Sequence, residues 1–263
     1  MWLFMISEAK HVQHLSSTAT TLPARARGHA LFLIDEHEAL DDSLQLMDPL
    51  PDALRDTIRK HATTLRLAAG TPVFEQGRPH SGIFVIEKGS VRTFYAGPSG
   101  KEITLAYWNE GHFVGGPELF GRGIHVWSAE AASPCVLSWI PGPSLRALAL
   151  ENPALAMGLI DALIVKGRCY SSLAQILATK PARGRLAELL LALAERSAPT
   201  NGGKEREVPR HVTHEQLAAI IGSTRQWVTA TLARFEREGY VQIRPNALVV
   251  LNARGLREAH AAT

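Results

Sequence analysis

The sequence predicts an α+β protein: an antiparallel β-roll, then one long helix, then a winged helix-turn-helix. Three observations carry this. Between Gly70 and Gly123 lie 11 of the chain's 21 glycines, separating short runs of branched and aromatic residues. No proline stands between Pro153 and Pro181, so one long helix is permitted there. Near the C-terminus, Thr213-His-Glu-Gln216 has the form of a capping box opening a pair of short helices.

Taken in order, residues 1–43 read as a partly flexible arm, polar over 16–21 and turn-prone over 23–28. Leu46, Leu50, Leu54 and Ile58 recur four apart and predict a helix, broken early by Pro49 and Pro51. Runs at 83–86, 91–95, 103–108 and 135–140 predict strands. Turn signals every ~8 to 12 residues point to an antiparallel sandwich or roll. Lys88-Gly89 between two of these runs predicts a hairpin turn, since glycine reaches positive φ without a steric cost.

Asn152-Pro153 opens the long helix, with a capping side chain and proline at N1. Leu159, Leu163, Lys166, Tyr170, Leu173 and Leu177 follow 4-3-4-3-4, a heptad seam interrupted by one lysine. A helix so long exceeds what one roll buries, and the seam predicts a homodimer. Residues 182–196 predict a further helix, and 197–209 a polar loop.

Leu217, Ala218 and Ile221 lie on the helix that the capping box opens. Gly222 ends it, and Ser223 or Thr224 caps the next, which carries Val228 and Leu232 and stops at Gly239. Ala218 and Gly222 supply the small crossing residue and the turn glycine of a helix-turn-helix. Runs at 240–244 and 247–251 around Pro245-Asn246 predict a hairpin wing. The second helix begins Thr224-Arg225-Gln226-Trp227, with Thr229 one turn on. Arg bonds guanine and Gln bonds adenine in a bidentate way, so Arg225 and Gln226 are the candidate base readers. His214, Lys180 and Arg183 are the candidate phosphate contacts, and Thr213, Thr224 and Thr229 are further candidate DNA-binding residues.

Charge agrees. Residues 180–263 hold 13 basic and 8 acidic residues, while 1–179 hold 15 and 17. A basic end behind a near-neutral body fits a polyanion partner. No apolar run approaches the ~18 residues of a membrane span. The opening Met-Trp-Leu-Phe-Met-Ile has no basic stretch before it and makes a poor signal peptide. Two cysteines exclude a disulfide framework, a four-Cys zinc site and a four-Cys iron–sulfur cluster within the chain. A cytoplasmic protein without a membrane partner is expected.

These motifs together resemble the bacterial Crp–Fnr transcription regulators over about residues 44–260. The resemblance rests on Gly-Thr-Pro-Val-Phe-Glu-Gln-Gly (70–77), Phe-Val-Ile-Glu-Lys-Gly-Ser-Val (84–91), Gly-Lys-Glu-Ile-Thr-Leu (100–105) and Leu-Phe-Gly-Arg-Gly (119–123). It continues through the Asn-Pro helix start and Gly-Arg-Leu-Ala (184–187) into the winged helix. It implies an effector-sensing roll over 44–150, a dimerisation helix over 151–180 and a DNA-binding domain over 181–263. A palindromic double-stranded DNA site and RNA polymerase are the implied partners, and no catalytic role is implied.

The chain departs from the cyclic-AMP-binding prototype at the pocket. The family's Gly-Glu and Arg-Ser pairs match Gly115-Gly116 and His125-Val126 here, with Glu118 two residues further on. The adenine-contacting Thr-Ser pair matches Tyr170-Ser171. Cyclic AMP is therefore not the expected effector. The remaining lining, Phe94, Leu105, Trp108, Trp127 and Tyr170, suits a small aromatic or largely apolar ligand, or simply fills the roll. The family's iron–sulfur mechanism is excluded, since residues 1–60 lack cysteine. Haem would need His80, His112 or His125, and a lone histidine in a β-domain is more often a hydrogen-bonded group. No bound cofactor and no metal site are expected. The rival class is a metal-dependent cupin enzyme, which His80, Glu87 and Gly89 faintly echo; the second histidine of its motif is absent, with Gly82 in its place. The family's Arg-Glu-x-x-x-Arg reading set is Arg225-Gln226-Trp227-Val228-Thr229-Ala230 here, so the half-site is expected to differ from the prototype's TGTGA.

Overall fold

The computed structural model describes residues 46, 47, 50–195, 206–208, 212–244 and 247–258. The predicted N-terminal arm, most of the 197–209 loop and the Pro245-Asn246 turn lie outside the described residues.

After the two prolines, α1 (Asp52–His61) leads into eight strands. These are β1 (Thr63–Leu67), β2 (Pro72–Phe74), β3 (Gly82–Lys88), β4 (Val91–Ala96), β5 (Glu102–Trp108), β6 (Phe113–Val114), β7 (Ser128–Ala131) and β8 (Cys135–Pro141). They form two antiparallel sheets, ordered β1-β8-β3-β6 and β2-β7-β4-β5. The predicted fold class is the observed one, but Lys88-Gly89 is not a hairpin turn. β3 and β4 belong to different sheets, and Gly89, at φ 91°, carries the chain between them. A Cβ there would sit 2.4 Å from the Pro134 carbonyl oxygen, so the crossing is too tight for any side chain.

The β4–β5 pairing contains a bulge. Thr93 faces Ala106 and Phe94 faces Thr104, leaving Leu105 without a cross-strand partner. Across the bulge Ala106 and Thr104 pair with adjacent β4 residues, so they take opposite faces. Trp108 and Ala106 enter the buried core, while Phe94 lies with Arg92, whose guanidinium stands 4.1 Å from the ring centre. Arg92 is also held by Glu102 at 2.6 Å and Glu130 at 2.9 Å.

Helix α2 (Gly142–Glu151) meets α3 (Pro153–Thr179) in a bend of 119°. Asn152 stands at the bend, but its side chain bonds backward to the Leu148 carbonyl at 2.9 Å rather than capping α3. Among the described residues no single helix is long and apolar enough to cross a membrane.

The C-terminal unit comprises α4 (Ala182–Glu195), β9 (Arg206–Val208), α5 (His214–Ile221), α6 (Arg225–Arg237), β10 (Val241–Arg244), β11 (Ala247–Val250) and α7 (Ala253–Glu258). β9 lies inside the predicted loop and joins the wing as a third strand, in the order β10-β11-β9. Leu186, Leu190, Ile221, Val228, Leu232, Phe235 and Leu256 form the core of this unit.

Candidate nucleic-acid interface and effector site

The helix-turn-helix is built by its caps. Thr213 accepts the Gln216 N–H at 3.1 Å, and Gln216 accepts the Thr213 N–H at 2.8 Å. Two otherwise orphaned donors are thus satisfied. Gly222 ends α5 at φ 66°. Thr224, not Ser223, caps α6 by accepting the Trp227 N–H at 3.2 Å. Val228 and Leu232 turn inward, leaving Arg225, Gln226 and Thr229 on the exposed side.

Two candidate contacts are already engaged within the helix pair. The Thr229 hydroxyl donates to the Arg225 carbonyl and meets His214 Nδ1, both at 2.9 Å. Their link fixes α5 against α6. Lys180 and Arg183, the other expected phosphate contacts, are each held by a carboxylate of this chain. Lys180 Nζ is bound by both Glu188 oxygens, at 3.0 and 3.1 Å. Arg183 pairs with Glu238 and lies over the Phe235 ring, with only 15% of its side chain exposed. A phosphate at either side chain would compete with that carboxylate.

In the roll, the structure brings together Trp108, Trp127 and Tyr170. The Tyr170 ring meets the two indoles edge-on, with centroids 6.4 and 5.4 Å away. Thr93 is their polar hub: it accepts the Trp108 Nε1–H at 3.1 Å and also meets the Tyr170 hydroxyl. Burial pushes the Tyr170 phenol well above its usual range. Phe94 and Leu105 do not belong to this group: Phe94 follows inward-facing Thr93 and lies with Arg92, and Leu105 stands an odd three residues from Trp108. Val126, Glu118 and Ser171 are exposed.

Gly115 and Gly116 are buried at φ 111° and 98°, but they face a side chain of this chain. The Gly116 N–H donates to His80 Nε2 at 3.1 Å. His125 stacks on Phe74, with centroids 4.0 Å apart, and its ring centre is 4.5 Å from that of His80. Burial, reinforced by His80, holds the His125 imidazole down at about 4. Burial also lowers His80, with Glu118 opposing. Both rings are therefore neutral near pH 7, and neither supplies the fixed cation that a cyclic phosphate needs. Their Nδ1 atoms have no hydrogen-bond partner among the described residues.

Lys166 is the residue that the seam reading passed over. It is buried, donates to the Phe113 carbonyl at 2.7 Å and sits 3.3 Å from the Trp108 ring centre. No carboxylate among the described residues pairs with it. Burial pushes its ammonium down to about 7, and burial raises the neighbouring Cys169 thiol to about 12. Beside Lys166 lies a gap of about 10 Å³, the room of one water, lined by Leu46, His112, Phe113, Ala162 and Val165. The single lysine in an apolar repeat was the available signal: a charge inside a buried stripe needs a reason.

The predicted dimer seam is corrected for the same cause. Leu159 belongs to the roll's own core, Leu163 packs against that core, and Tyr170 packs on the other roll cluster. Leu177 lies against Gly222, where a Cβ would be 3.1 Å from its Cδ2. Of the predicted set, Leu173 is half-buried. The outward face of α3 carries a different heptad stripe: Met157, Ile160, Ile164, Gly167, Ser171, Ala174 and Ala178, all exposed. Met157, Ile160 and Ile164 expose 55%, 48% and 49% of their surface.

Among the described residues no three His, Cys, Asp or Glu side chains gather in metal-binding geometry. Glu87 accepts from the Ser138 hydroxyl at 2.8 Å.

Residues 64–152 match the family model of a cyclic nucleotide-binding domain, and 184–259 that of a Crp-like helix-turn-helix domain. The chain is 30% identical over 206 residues to the transcriptional regulator SdrP of Thermus thermophilus, covering 78% of this chain and 94% of that one. It is 26% identical to the CRP-like cAMP-activated global transcriptional regulator of Mycobacterium tuberculosis, covering 71% and 83% respectively. Its fold superposes with a TM-score of 0.64 on the c-di-GMP-responsive regulator CLP of Xanthomonas campestris, at 21% identity over 76% of this chain and 99% of that one. These relatives are transcription regulators, and the cupin-enzyme reading is set aside.

Proposed function

The chain belongs to the Crp/Fnr family of DNA-binding transcription regulators, and from that premise we propose that it works as a homodimer on a two-fold-symmetric DNA site under a small effector other than cyclic AMP. The DNA reading rests on Arg225 and Gln226, which stand exposed in the first turn of α6 with the backbone behind them fixed by the Thr224 cap. Arg225 reads guanine; Gln226 favours adenine. Thr213, His214, Thr224 and Thr229 frame the contact. We take RNA polymerase as the further partner and the cytoplasm as the location, on the family's ground.

The effector reading rests on one observation: His80 occupies the Gly116 N–H that would otherwise meet a ligand. A cyclic phosphate would have to displace it and would find no fixed cation in return. Losing two charge-assisted bonds, at ~1.5–3 kcal/mol each, weakens binding by about two to four orders of magnitude. Trp108, Tyr170 and Lys166 instead favour a largely apolar ligand with an acidic group. The size of the gap favours a second reading, in which the roll is filled and no effector acts.

For assembly we propose the stripe at Met157, Ile160 and Ile164, with a second copy as its occupant. A 3-4 apolar repeat on one helix face is a coiled-coil seam, and the small residues that follow permit close approach. Ile164→Lys should then give monomers in sizing experiments and greatly weakened operator binding; wild-type protein that stays monomeric at micromolar concentration rejects the dimer.

Selecting bound fragments from a random DNA pool, with and without cyclic AMP, tests the whole reading. The expected product is a palindrome whose half-site is not TGTGA, unaffected by the nucleotide. A TGTGA palindrome rejects the assignment of Gln226, and enrichment only with cyclic AMP rejects the effector assignment.

A further inference from the structure

One strand, β5, touches both the roll interior and the C-terminal unit. On β5, Trp108 points into the roll, where Lys166 lies over its ring and Tyr170 meets its edge. Tyr107, the preceding residue, points the opposite way, as consecutive strand residues do. It packs against the core of the C-terminal unit.

The contact around Tyr107 is a built interface. α5 packs directly on β5. Lys101, just before β5, donates to the Gly222 carbonyl at 3.0 Å, in the turn between α5 and α6. Five consecutive residues of α5, Leu217, Ala218, Ala219, Ile220 and Ile221, are buried. One core cannot cover five consecutive helical residues, because they point around more than a full turn. The roll is the second surface that makes this burial possible. Arg225 and Gln226 stay exposed, so the contact fixes the placement of α6 without covering it.

We propose that β5 couples the roll interior to the winged helix, with Tyr107 as the positioning residue that passes a displacement of Trp108 on to α5. This rests on the roll being the effector-sensing part. A ligand at Lys166 has to move Trp108, since the gap beside them holds only about one water. β5 is hydrogen-bonded along its length to β4 and on its outer face meets α5, so a shift of Trp108 reaches Tyr107 within one residue. Coupling claims need evidence that one site responds to the other through the named residue.

Amide hydrogen exchange on the full-length protein supplies it, with no ligand or DNA required. Lys166→Met should change exchange over residues 217–222 by about threefold or more, since locally opened segments exchange in proportion to their opening. The same substitution in a Tyr107→Ala background should leave 217–222 unchanged relative to Tyr107→Ala alone. An unchanged 217–222 in the single variant, or an equal change in both backgrounds, overturns the proposal and leaves α3 as the route. Should Lys166→Met not fold, Trp108→Phe, which removes the bond to Thr93, is judged by the same two outcomes. A protein that selects no DNA site defeats the regulatory reading but not this one, because the exchange pattern is read without DNA.

Discussion

The winged helix and the roll treat their polar groups in opposite ways. On α6, Arg225 and Gln226 point into solvent from a helix start whose own donors are capped. In the roll, Gly116 bonds His80, Thr93 bonds Trp108, and Lys166 bonds the Phe113 carbonyl. The first site is open and assembled from neighbouring residues. The second is closed and assembled from β4, β5, β6 and α3 with the loops before β3 and after β6. A surface for a polyanion can wait unpaired because water solvates it, whereas a buried site must satisfy itself until a ligand replaces the internal partner.

Substitution tests this contrast, and the largest effect belongs to the open site. Arg225→Ala should cost ~1–3 kcal/mol of sequence-specific binding at each half-site. Titration against the selected operator and an unrelated duplex checks it. Equal losses on both would make Arg225 a phosphate contact rather than a reader.

The next effect sharpens the comparison through two glycines. Gly222 and Gly70 both have positive φ, at 66° and 79°. Alanine at Gly70 meets nothing within 4 Å, so only the left-handed conformation costs, ~1–2 kcal/mol. Alanine at Gly222 adds the 3.1 Å approach to Leu177. Chemical denaturation should therefore find Gly222→Ala the more damaging of the two. Equal losses would mean that Leu177 yields freely and that α3 is only loosely joined to the turn.

A further effect belongs to the closed site and appears only at low pH. The native roll keeps His125 neutral down to about pH 4, while the unfolded chain protonates below about 6.5. The unfolded state thus binds more protons between those values. Stability should fall as pH drops from 6.5 towards 4 and lose no more to this group below that. His125→Phe, which keeps the stacking on Phe74, should flatten that slope in thermal melts. A slope that persists unchanged would place the titration elsewhere.

The same contrast explains what the sequence made legible. Thr213, Gln216, Gly222 and Thr224 act within four residues of their partners, so the helix-turn-helix could be read from spacing alone. The roll is fixed by pairings such as Leu65 with Leu137, far apart in the chain. β7 reads Ser-Ala-Glu-Ala, with no branched or aromatic residue to announce a strand, and β6 has only two residues. Leu105 was legible, since three residues from Trp108 is an odd offset that alternation puts on the other face, whereas the bulge beside it leaves no local mark. In α3 the repeat at Leu159, Leu163, Lys166 and Tyr170 was a true repeat assigned to the wrong neighbour. Both faces of the helix carry apolar residues at 3-4 spacing, and only the position of the roll tells them apart.

Arg185 has a consequence for how the molecule moves. Its Nη1 donates to the Leu177 and Lys180 carbonyls at 3.2 and 2.6 Å, and its Nε to the Ile221 carbonyl at 2.8 Å. One guanidinium therefore staples the end of α3, the linker and the end of α5. A linker so fastened resists small bends, because any swing of the winged helix must release the guanidinium from a carbonyl.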